Sequence, residues 1–250
     1  MVNPLTLVRA MAAAVLGAGG RLYSATPVLS VKRSSGSWQV STPFGCVQAR
    51  GLIIATNAYT AAFTKELMPE VAREIVPVTS WLAATAPLSE ALRRDVIPSR
   101  VAMSDTRGDL RFARYDADHR LISGGALINP IGRPDRLRTL VSERLARLWP
   151  ATKGINVEFV WNGTIGMTLD RFPRFHQIGP DGFAWTGCNG RAVALSLSIG
   201  RELAKACMGK PIDEIALPFT PVMPLIAQPV LRWLAPLALL RYRQIDAMDY

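Results

Sequence analysis

The sequence has few of the residues from which metal sites and disulfide scaffolds are built. It contains three cysteines, Cys46, Cys188 and Cys207, which lie far apart in the 250-residue chain without a CxxC pair, and two histidines. A disulfide framework and a thiolate zinc site are therefore disfavoured. Two histidines are too few for a histidine-rich metal centre, so no metal site is predicted.

Long unbroken apolar runs and clustered charge are also missing. Residues 5–19 are interrupted by Arg9, and the apolar stretch 215–240 contains five prolines and Arg232, so neither supplies the ~20 continuous apolar residues of a membrane span. The net charge is +10, but no basic run exceeds two residues, which argues against a nucleic-acid-binding surface. We expect a cytoplasmic protein without a membrane segment, whose positive charge suits anionic substrates or cofactors.

The chain has the composition of a folded domain, with 49% apolar (AVILMFWYC) and 19% charged residues. Asn3-Pro4 predicts a helix start, and the glycines at 17, 19 and 20 predict its end rather than a phosphate loop. Short strands are predicted at 21–24 and 28–31, followed by a hairpin from 37–42 and 46–50. A second region carries strand patterns at 76–86, 110–115, 120–124 and 157–161 and a helix pattern at 135–149.

Residues 52–57, with the sequence LIIATN, form an apolar run that ends in small and polar residues. This pattern is typical of a strand buried on both faces of a parallel sheet. Ligands in open α/β sheets bind beyond the carboxyl ends of such strands, so Ala55-Thr56-Asn57 is a candidate cofactor edge. An ordinary strand-to-loop exit is the alternative interpretation.

The strongest local feature is a predicted strand at 183–186, the bend Gly187-Cys188-Asn189-Gly190 and a helix that runs to about Met208. Glycines in such a bend let the backbone approach a ligand closely. The start of the helix offers unpaired N–H donors that favour negative charge, and Arg191 adds a cation. A tight turn without a ligand stays open as the alternative. A face of small residues on this helix, which includes Ala194 and Gly200, permits close packing against a sheet or a neighbouring backbone.

Motifs in a fixed order relate the chain to a known family. They are ATPVLSV at 25–31, WQVST at 38–42 with Gly45, LIIATNAYT at 52–60, FARY at 112–115, RLISGG at 120–125, WNG at 161–163 with T-x-D-x-x-P at 168–173, and GCNGRA at 187–192. Together they resemble the FAD-dependent amine and amino-acid oxidoreductases of the D-amino-acid oxidase superfamily, which includes glycine oxidase and sarcosine oxidase. The ATNAY and NGR forms look most like the branch that oxidises amines such as γ-glutamylputrescine.

The resemblance implies a mixed α/β fold. A partial, Rossmann-like FAD-binding domain would comprise residues 1–76 and 175–215, an inserted antiparallel-sheet substrate domain residues 77–174, and a C-terminal tail residues 216–250. Family members also begin with a βαβ unit that carries a G-x-G-x-x-G turn for the FAD pyrophosphate, and this sequence has no such turn. We therefore expect a truncated chain that lacks an N-terminal FAD-binding segment.

The resemblance also implies site residues. Those expected to contact FAD, near its adenine, its nucleotide part or the pyrimidine edge of its flavin, are Val28, Ala55, Thr56, Gly187, Cys188, Asn189, Gly190 and Arg191. Those expected to face the substrate are Trp81, Arg114 and Tyr115.

The implied reaction is oxidation of the C–N bond of a small-molecule amine or amino acid to an imine, with hydride transfer to FAD. The hydride chemistry belongs to the flavin, so no catalytic acid or base is assigned. Two alternatives stay open. One is a non-catalytic remnant domain that binds a small ligand or a partner chain, and the other is a basic RNA-binding module of the tRNA-modifying kind.

Overall fold

The computed structural model describes residues 2–62, 64, 67–107, 111–125, 127 and 132–248. The chain forms two compact units, each built from more than one segment of the sequence. Unit A comprises Pro4–Val78 and Thr164–Arg232, and unit B comprises Met1–Asn3, Thr79–Gly163 and Trp233–Tyr250.

The strands, in chain order, are β1 (Ser30–Ser34), β2 (Ser37–Thr42), β3 (Gly45–Ala49), β4 (Leu52–Ile54), β5 (Val76–Pro87), β6 (Met103–Ser104), β7 (Phe112–Tyr115), β8 (Arg120–Gly125), β9 (Val157–Met167), β10 (Arg174–Gly179) and β11 (Gly182–Thr186). The helices are α1 (Pro4–Gly17), α2 (Pro69–Ala72), α3 (Glu90–Asp95), α4 (Arg133–Leu148), α5 (Ala192–Cys207) and α6 (Gln228–Met248). Short 3-10 turns lie at Asn57–Tyr59, Pro150–Thr152 and Ile212–Glu214.

Unit A contains a mixed sheet with the strand order β10-β11-β4. Strands β10 and β11 form an antiparallel hairpin, whereas β4 runs parallel to β11 with Leu52 opposite Gly182 and Ile54 opposite Ala184. Every residue of β11 is buried, and α5 packs its apolar side against this sheet through Ile199 and Leu203. The sheet therefore fixes two parallel strand ends at one edge of the unit.

A second sheet in unit A is the antiparallel meander β1-β2-β3. Valines face one another across the three strands, with Val31 opposite Val40 and Val40 opposite Val47. Trp38, which is only 4% exposed, donates its indole N–H to the backbone oxygen of Pro180 in the turn between β10 and β11. The hairpin predicted around residues 37–50 is thereby confirmed.

Within unit A, a buried ionisable pair connects the segment after α5 to β10 and to the residues before β5. His176 Nε2 lies 2.5 Å from Glu74 Oε2, and the two side chains are 0% and 2% exposed. His176 Nδ1 lies 2.8 Å from the carbonyl oxygen of Thr220, and Glu74 also accepts the Met223 N–H. A carbonyl oxygen can only accept, so Nδ1 carries the proton in its contact with Thr220.

Unit B is built on a five-stranded sheet with the order β6-β7-β8-β5-β9. The pairs β6–β7, β7–β8 and β5–β8 are antiparallel. The predicted helix at 135–149 is confirmed as α4, whose stripe Leu137, Val141 and Leu145 is at most 1% exposed and packs on this sheet. The strands predicted at 76–86 and 120–124 are confirmed, and of the one predicted at 110–115, Leu110 lies outside the described residues.

Several local predictions differ from the structure. Residues 21–24 form no strand, and β1 begins only at Ser30, because Pro27 has no N–H for a ladder and the pairing with β2 starts at the Leu29 N–H. Strand β4 is parallel as expected but not buried on both faces, since Ile53 is 37% exposed. The small-residue face of α5 does not pack either, because Ala194 and Gly200 are exposed and the buried side carries Ile199 and Leu203 instead.

Both ends of the chain are helical in the described residues. The glycines after α1 do end this helix, with Gly20 donating its N–H to the Val15 carbonyl oxygen. Residues 228–248, expected only as a tail, form α6. In the described part of the chain, no helix combines the length and the apolarity that crossing a bilayer requires.

Candidate functional site

The candidate site lies where β4 and β11 end. The two strands are parallel, so their carboxyl ends reach the same edge of the sheet. Residues 55–57 follow β4, and residues 187–191, here called the Gly187–Arg191 turn, lead from β11 into α5. Because the sequence predicted cofactor contacts in both segments, their meeting at one edge makes this the candidate site.

Asn57 joins the two strand ends directly. Its side-chain oxygen Oδ1 accepts the backbone N–H of Cys188 at 3.2 Å, and its Nδ2 donates to Cys188 Sγ at 3.1 Å. Its backbone has a φ of +47°, a left-handed conformation that asparagine tolerates better than most residues. The hydroxyl of Thr60, which is 2% exposed, donates to the Asn57 carbonyl oxygen at 2.7 Å and closes this short loop.

Asn189 fixes the other side of the turn. Its N–H donates to the Gly166 carbonyl oxygen at 3.0 Å, and its Oδ1 accepts the Thr168 N–H at 2.9 Å. Its Nδ2 donates to the Gly187 carbonyl oxygen at 2.6 Å. The end of β9 and the residue after it thus hold the turn as well.

Two glycines shape the turn in different ways. Gly187 has a φ of +71°, and a Cβ added there would lie 2.5 Å from Thr168 Cγ2. Gly190 has a φ of +78°, but the nearest atom to an added Cβ is Ile165 Cδ1 at 3.9 Å. Both positions favour glycine for their backbone conformation. Only Gly187 also requires it for space, whereas the surroundings of Gly190 are open.

The turn presents unpaired donors at the start of α5. Among the described residues, the N–H groups of Gly190, Ala192 and Val193 have no acceptor, and no side chain caps this helix. The positive end of the helix dipole adds to these donors. The exposed Arg191 donates to the Arg171 carbonyl oxygen at 3.0 Å and brings a full positive charge to the same end. This donor set suits a ligand edge that carries or gains negative charge, as a flavin does.

The predicted cofactor residues differ in exposure. Ala55, Thr56, Gly190 and Arg191 are exposed, Asn189 is half-buried, and Gly187 and Cys188 are buried. The half-buried Val28 lies in the irregular segment before β1, which pairs with β2 and not with the β4–β11 sheet. Seven of the eight residues thus meet at the two strand ends, and Val28 lies elsewhere in unit A.

The predicted substrate residues belong to unit B and do not share one face of its sheet. Trp81 and Tyr115 are each 9% exposed and pack in the core with α4. Tyr115 donates its hydroxyl to the Val96 carbonyl oxygen at 2.6 Å, and burial raises the pKa of this phenol. Arg114 lies between the buried Ala113 and Tyr115, so its half-buried side chain is on the face away from that core. Of the three, Arg114 is the one directed away from the core.

Three residues at the turn were not assigned as site residues from the sequence. Asn57 belonged to the candidate edge but received no role of its own, and Gly166 and Thr168 received none. Thr168 stands in the T-x-D-x-x-P motif, which was the available signal for it. Asn57 acts through Cys188, which is 131 positions away, and Gly166 through Asn189 on the other side of the β10–β11 hairpin. A linear pattern does not reveal such contacts. Among the described residues, no three His, Cys, Asp or Glu side chains are placed to share a metal ion.

Comparison with known families tests the resemblance that the sequence motifs indicated. A family model described as FAD dependent oxidoreductase (DAO) matches residues 1–206. This chain belongs to the DAO family of FAD dependent oxidoreductases. The family predicted from the ordered motifs is therefore confirmed, and FAD is the cofactor on which the family depends.

Curated relatives of this DAO-family chain include two bacterial oxidoreductases. The γ-glutamylputrescine oxidoreductase of Escherichia coli (strain K12) is 30% identical over 208 residues, which are 83% of this chain and 48% of that protein. The probable oxidoreductase OrdL of Haemophilus influenzae is 29% identical over 208 residues, 83% of this chain and 47% of that protein. The chain spans about half the length of the curated relatives that it matches.

Solved structures share the fold of this DAO-family chain. Glycine oxidase from Geobacillus kaustophilus superposes with a TM-score of 0.68 at 20% identity, covering 88% of this chain and 57% of that one. L-proline dehydrogenase from P. horikoshii has a TM-score of 0.68 at 19% identity, covering 84% and 57%. At this identity the likeness concerns the fold alone. It confirms the predicted mixed α/β fold class with antiparallel sheets.

Proposed function

We propose that the chain is the part of an FAD-dependent oxidoreductase that holds the flavin edge and faces the substrate. The enzyme would oxidise the C–N bond of an amine or amino acid to an imine. Unit A would bind FAD, and the sheet of unit B would bind the substrate. The observation that carries the proposal is the set of unpaired N–H groups at Gly190, Ala192 and Val193, beside the end of β4.

These donors have a definite task in the proposed reaction. FAD, when bound, supplies the acceptor for the hydride that leaves the substrate carbon. The three N–H groups would donate to the pyrimidine edge of the flavin, where negative charge develops during that transfer, and Arg191 would add a cation there. Because the turn is fixed by hydrogen bonds within the protein, these donors need little reorganisation during the reaction.

The remaining cofactor and substrate contacts are proposed from the family resemblance and the exposure of the residues. Ala55 and Thr56 are exposed at the end of β4, where they would border the nucleotide, and Val28 would lie near the adenine. In unit B, Arg114 is the candidate that would face the substrate. Its neighbours Ala113 and Tyr115 are buried in the core, so the Arg114 side chain lies on the opposite face of the strand. The name of the E. coli relative, γ-glutamylputrescine oxidoreductase, supports an amine substrate.

Titration with FAD tests this proposal. We expect the chain to bind FAD, with quenched flavin fluorescence, either alone or with the uncovered part of the E. coli relative supplied as a second polypeptide. Arg191→Ala should weaken binding about fivefold, since a charge at a helix end contributes about 1 kcal/mol. The matched control is Arg201→Ala on the same helix, which removes an exposed arginine that is paired with Glu202. Absence of FAD binding in both arrangements would refute the proposal.

The exposed face of α1 favours a second candidate, a domain that binds a partner chain without catalysis. This helix has no buried residue, and Leu5, Val8 and Leu16 are each more than half exposed. Exposed apolar side chains in such a group commonly mark an interaction surface. Anaerobic addition of amines to the FAD-loaded protein distinguishes the candidates. Bleaching of the flavin absorption supports the oxidoreductase, and binding of FAD without bleaching by any amine supports the second candidate.

A further inference from the structure

The side chain of Asn57 makes two hydrogen bonds to one residue of the opposite loop. Its Oδ1 accepts the Cys188 N–H and its Nδ2 donates to the Cys188 sulfur, at 3.2 Å and 3.1 Å. Residues 57 and 188 are 131 positions apart and belong to loops that follow two parallel strands. Cys188 is 6% exposed, so an N–H without its acceptor would be left unpaired in a buried place.

The position of the Asn57 amide is restricted by its surroundings. A Cβ at Gly166 would lie 2.7 Å from Asn57 Oδ1, so the amide occupies space that a larger residue at 166 would fill. Gly166 also accepts the Asn189 N–H, which places Asn57 and the turn against the same backbone. The left-handed backbone of Asn57 is held by the Thr60 hydroxyl. The position of the amide is therefore fixed by contacts within the protein.

The consequence lies in how the N–H groups of the turn are divided. The Asn57 side chain accepts the Cys188 N–H. The carbonyl oxygen of Gly166 accepts the Asn189 N–H, and that of Cys188 accepts the Arg191 N–H. At the start of α5, the N–H groups of Gly190, Ala192 and Val193 have no acceptor among the described residues. If Cys188 lost its acceptor, the turn could rotate to satisfy that donor, and the unpaired donors would move with it.

We propose that Asn57 is a positioning residue, whose amide holds the Gly187–Arg191 turn so that the unpaired N–H groups of Gly190, Ala192 and Val193 face the cofactor edge. This inference rests on the proposed function, because the turn is taken to bind FAD. Asn57 itself need not touch the cofactor. Its role is to connect the end of β4 to the start of α5, so the two loops act as one binding surface.

The first test measures the reactivity of the Cys188 thiol without any cofactor. Asn57→Gly keeps the left-handed backbone accessible but removes both hydrogen bonds, whereas Asn57→Asp keeps the oxygen acceptor. Iodoacetamide labelling is followed by mass spectrometry for each cysteine. We expect Cys188 to react about tenfold faster in Asn57→Gly, the effect of losing a hydrogen bond worth about 1.4 kcal/mol. Asn57→Asp should restore most of the protection.

Two internal references separate a local effect from general unfolding. Cys46 is exposed and Cys207 is half-buried, and both lie outside the turn. Their labelling rates should stay unchanged in the variants, and Asn162→Gly, at an exposed asparagine of β9, should leave all three rates unchanged. An unchanged Cys188 rate in Asn57→Gly, or an equal acceleration of Cys188 and Cys207, would overturn the proposal.

The second test measures FAD affinity in the arrangement that binds FAD for the unsubstituted chain. We expect Asn57→Gly to weaken binding about tenfold, the same factor as for the thiol, with recovery in Asn57→Asp. If the unsubstituted chain binds no FAD, the proposed function fails, while the thiol labelling still decides whether Asn57 holds the turn. If Asn57→Gly exposes Cys188 but leaves FAD affinity unchanged, the turn needs no such positioning and the inference is wrong.

Discussion

Replacing each glycine of the turn by alanine separates backbone strain from steric conflict. Gly187 and Gly190 have nearly the same φ, +71° and +78°, so alanine is strained to a similar degree at both. They differ in space, because an added Cβ lies 2.5 Å from Thr168 Cγ2 at position 187 and 3.9 Å from Ile165 Cδ1 at position 190. Gly190→Ala is therefore the matched control for Gly187→Ala.

The magnitudes follow from these two contributions. A left-handed alanine costs about 1–2 kcal/mol, which is the whole effect expected for Gly190→Ala. Carbon atoms prefer a separation of about 3.5–4.0 Å, so the contact at 187 adds an overpacking cost of about 1–3 kcal/mol. Gly187→Ala should thus lower the free energy of unfolding by about 2–5 kcal/mol.

Urea denaturation monitored by tryptophan fluorescence measures these differences. Thr168→Ser provides a rescue, because it removes Cγ2 but keeps the hydroxyl that donates to the Phe172 carbonyl oxygen. In the Gly187→Ala background, Thr168→Ser should restore most of the unfolding free energy lost to overpacking, which is about 1–3 kcal/mol. In the unsubstituted protein, Thr168→Ser should lower the free energy of unfolding by about 0.8 kcal/mol. If Gly187→Ala unfolds at the same urea concentration as Gly190→Ala, or if Thr168→Ser gives no recovery, the assigned contact is wrong.

Two further predictions concern pH. Burial, and to a smaller extent the Asp181 carboxylate, raise the pKa of the Cys207 thiol. Iodoacetamide should therefore label Cys207 more slowly than the exposed Cys46 at pH 8, and the difference should shrink as the pH rises. Asp181→Asn should speed the labelling of Cys207, and an unchanged rate would contradict the electrostatic cause. The hydrogen bond from Arg174 holds the pKa of Asp170 below its ordinary value, so this carboxylate stabilises the fold above its unfolded pKa of about 3.9 and loses that contribution as the pH falls through its folded value. Urea titrations of Asp170→Asn should show a deficit in unfolding free energy at pH 7 that shrinks towards pH 3, whereas a deficit independent of pH would be evidence against the ion pair.

Local patterns in the sequence were sufficient to predict the elements that carry the site. The strand at 183–186, the bend at Gly187 and the helix that follows depend on short-range periodicity and on backbone freedom, which the residues themselves specify. The helix predicted at 135–149 was correct for the same reason, since apolar residues at helical spacing share one packing surface. Local patterns could not predict contacts between distant segments, and the Asn57–Cys188 hydrogen bonds are the clearest example.

The prediction of Trp81 and Tyr115 as substrate residues came from the resemblance rather than from the local pattern. Alternation along β7 places Ala113 and Tyr115 on one face and Arg114 on the other. The structure puts the first pair into the core, on the face opposite Arg114. On α5, the small residues Ala194 and Gly200 are exposed, because small residues permit close packing but do not specify the element that would use it.

The buried pair of Glu74 and His176 sets a lower limit on the length of any shorter version of unit A. The family match ends at residue 206, yet the imidazole needs the Thr220 carbonyl oxygen and the carboxylate takes the Met223 N–H. A fragment cut at the end of the match would leave two ionisable groups in the protein interior without those backbone partners. A stable fragment of unit A must therefore extend beyond the end of the family match, to Met223 or later.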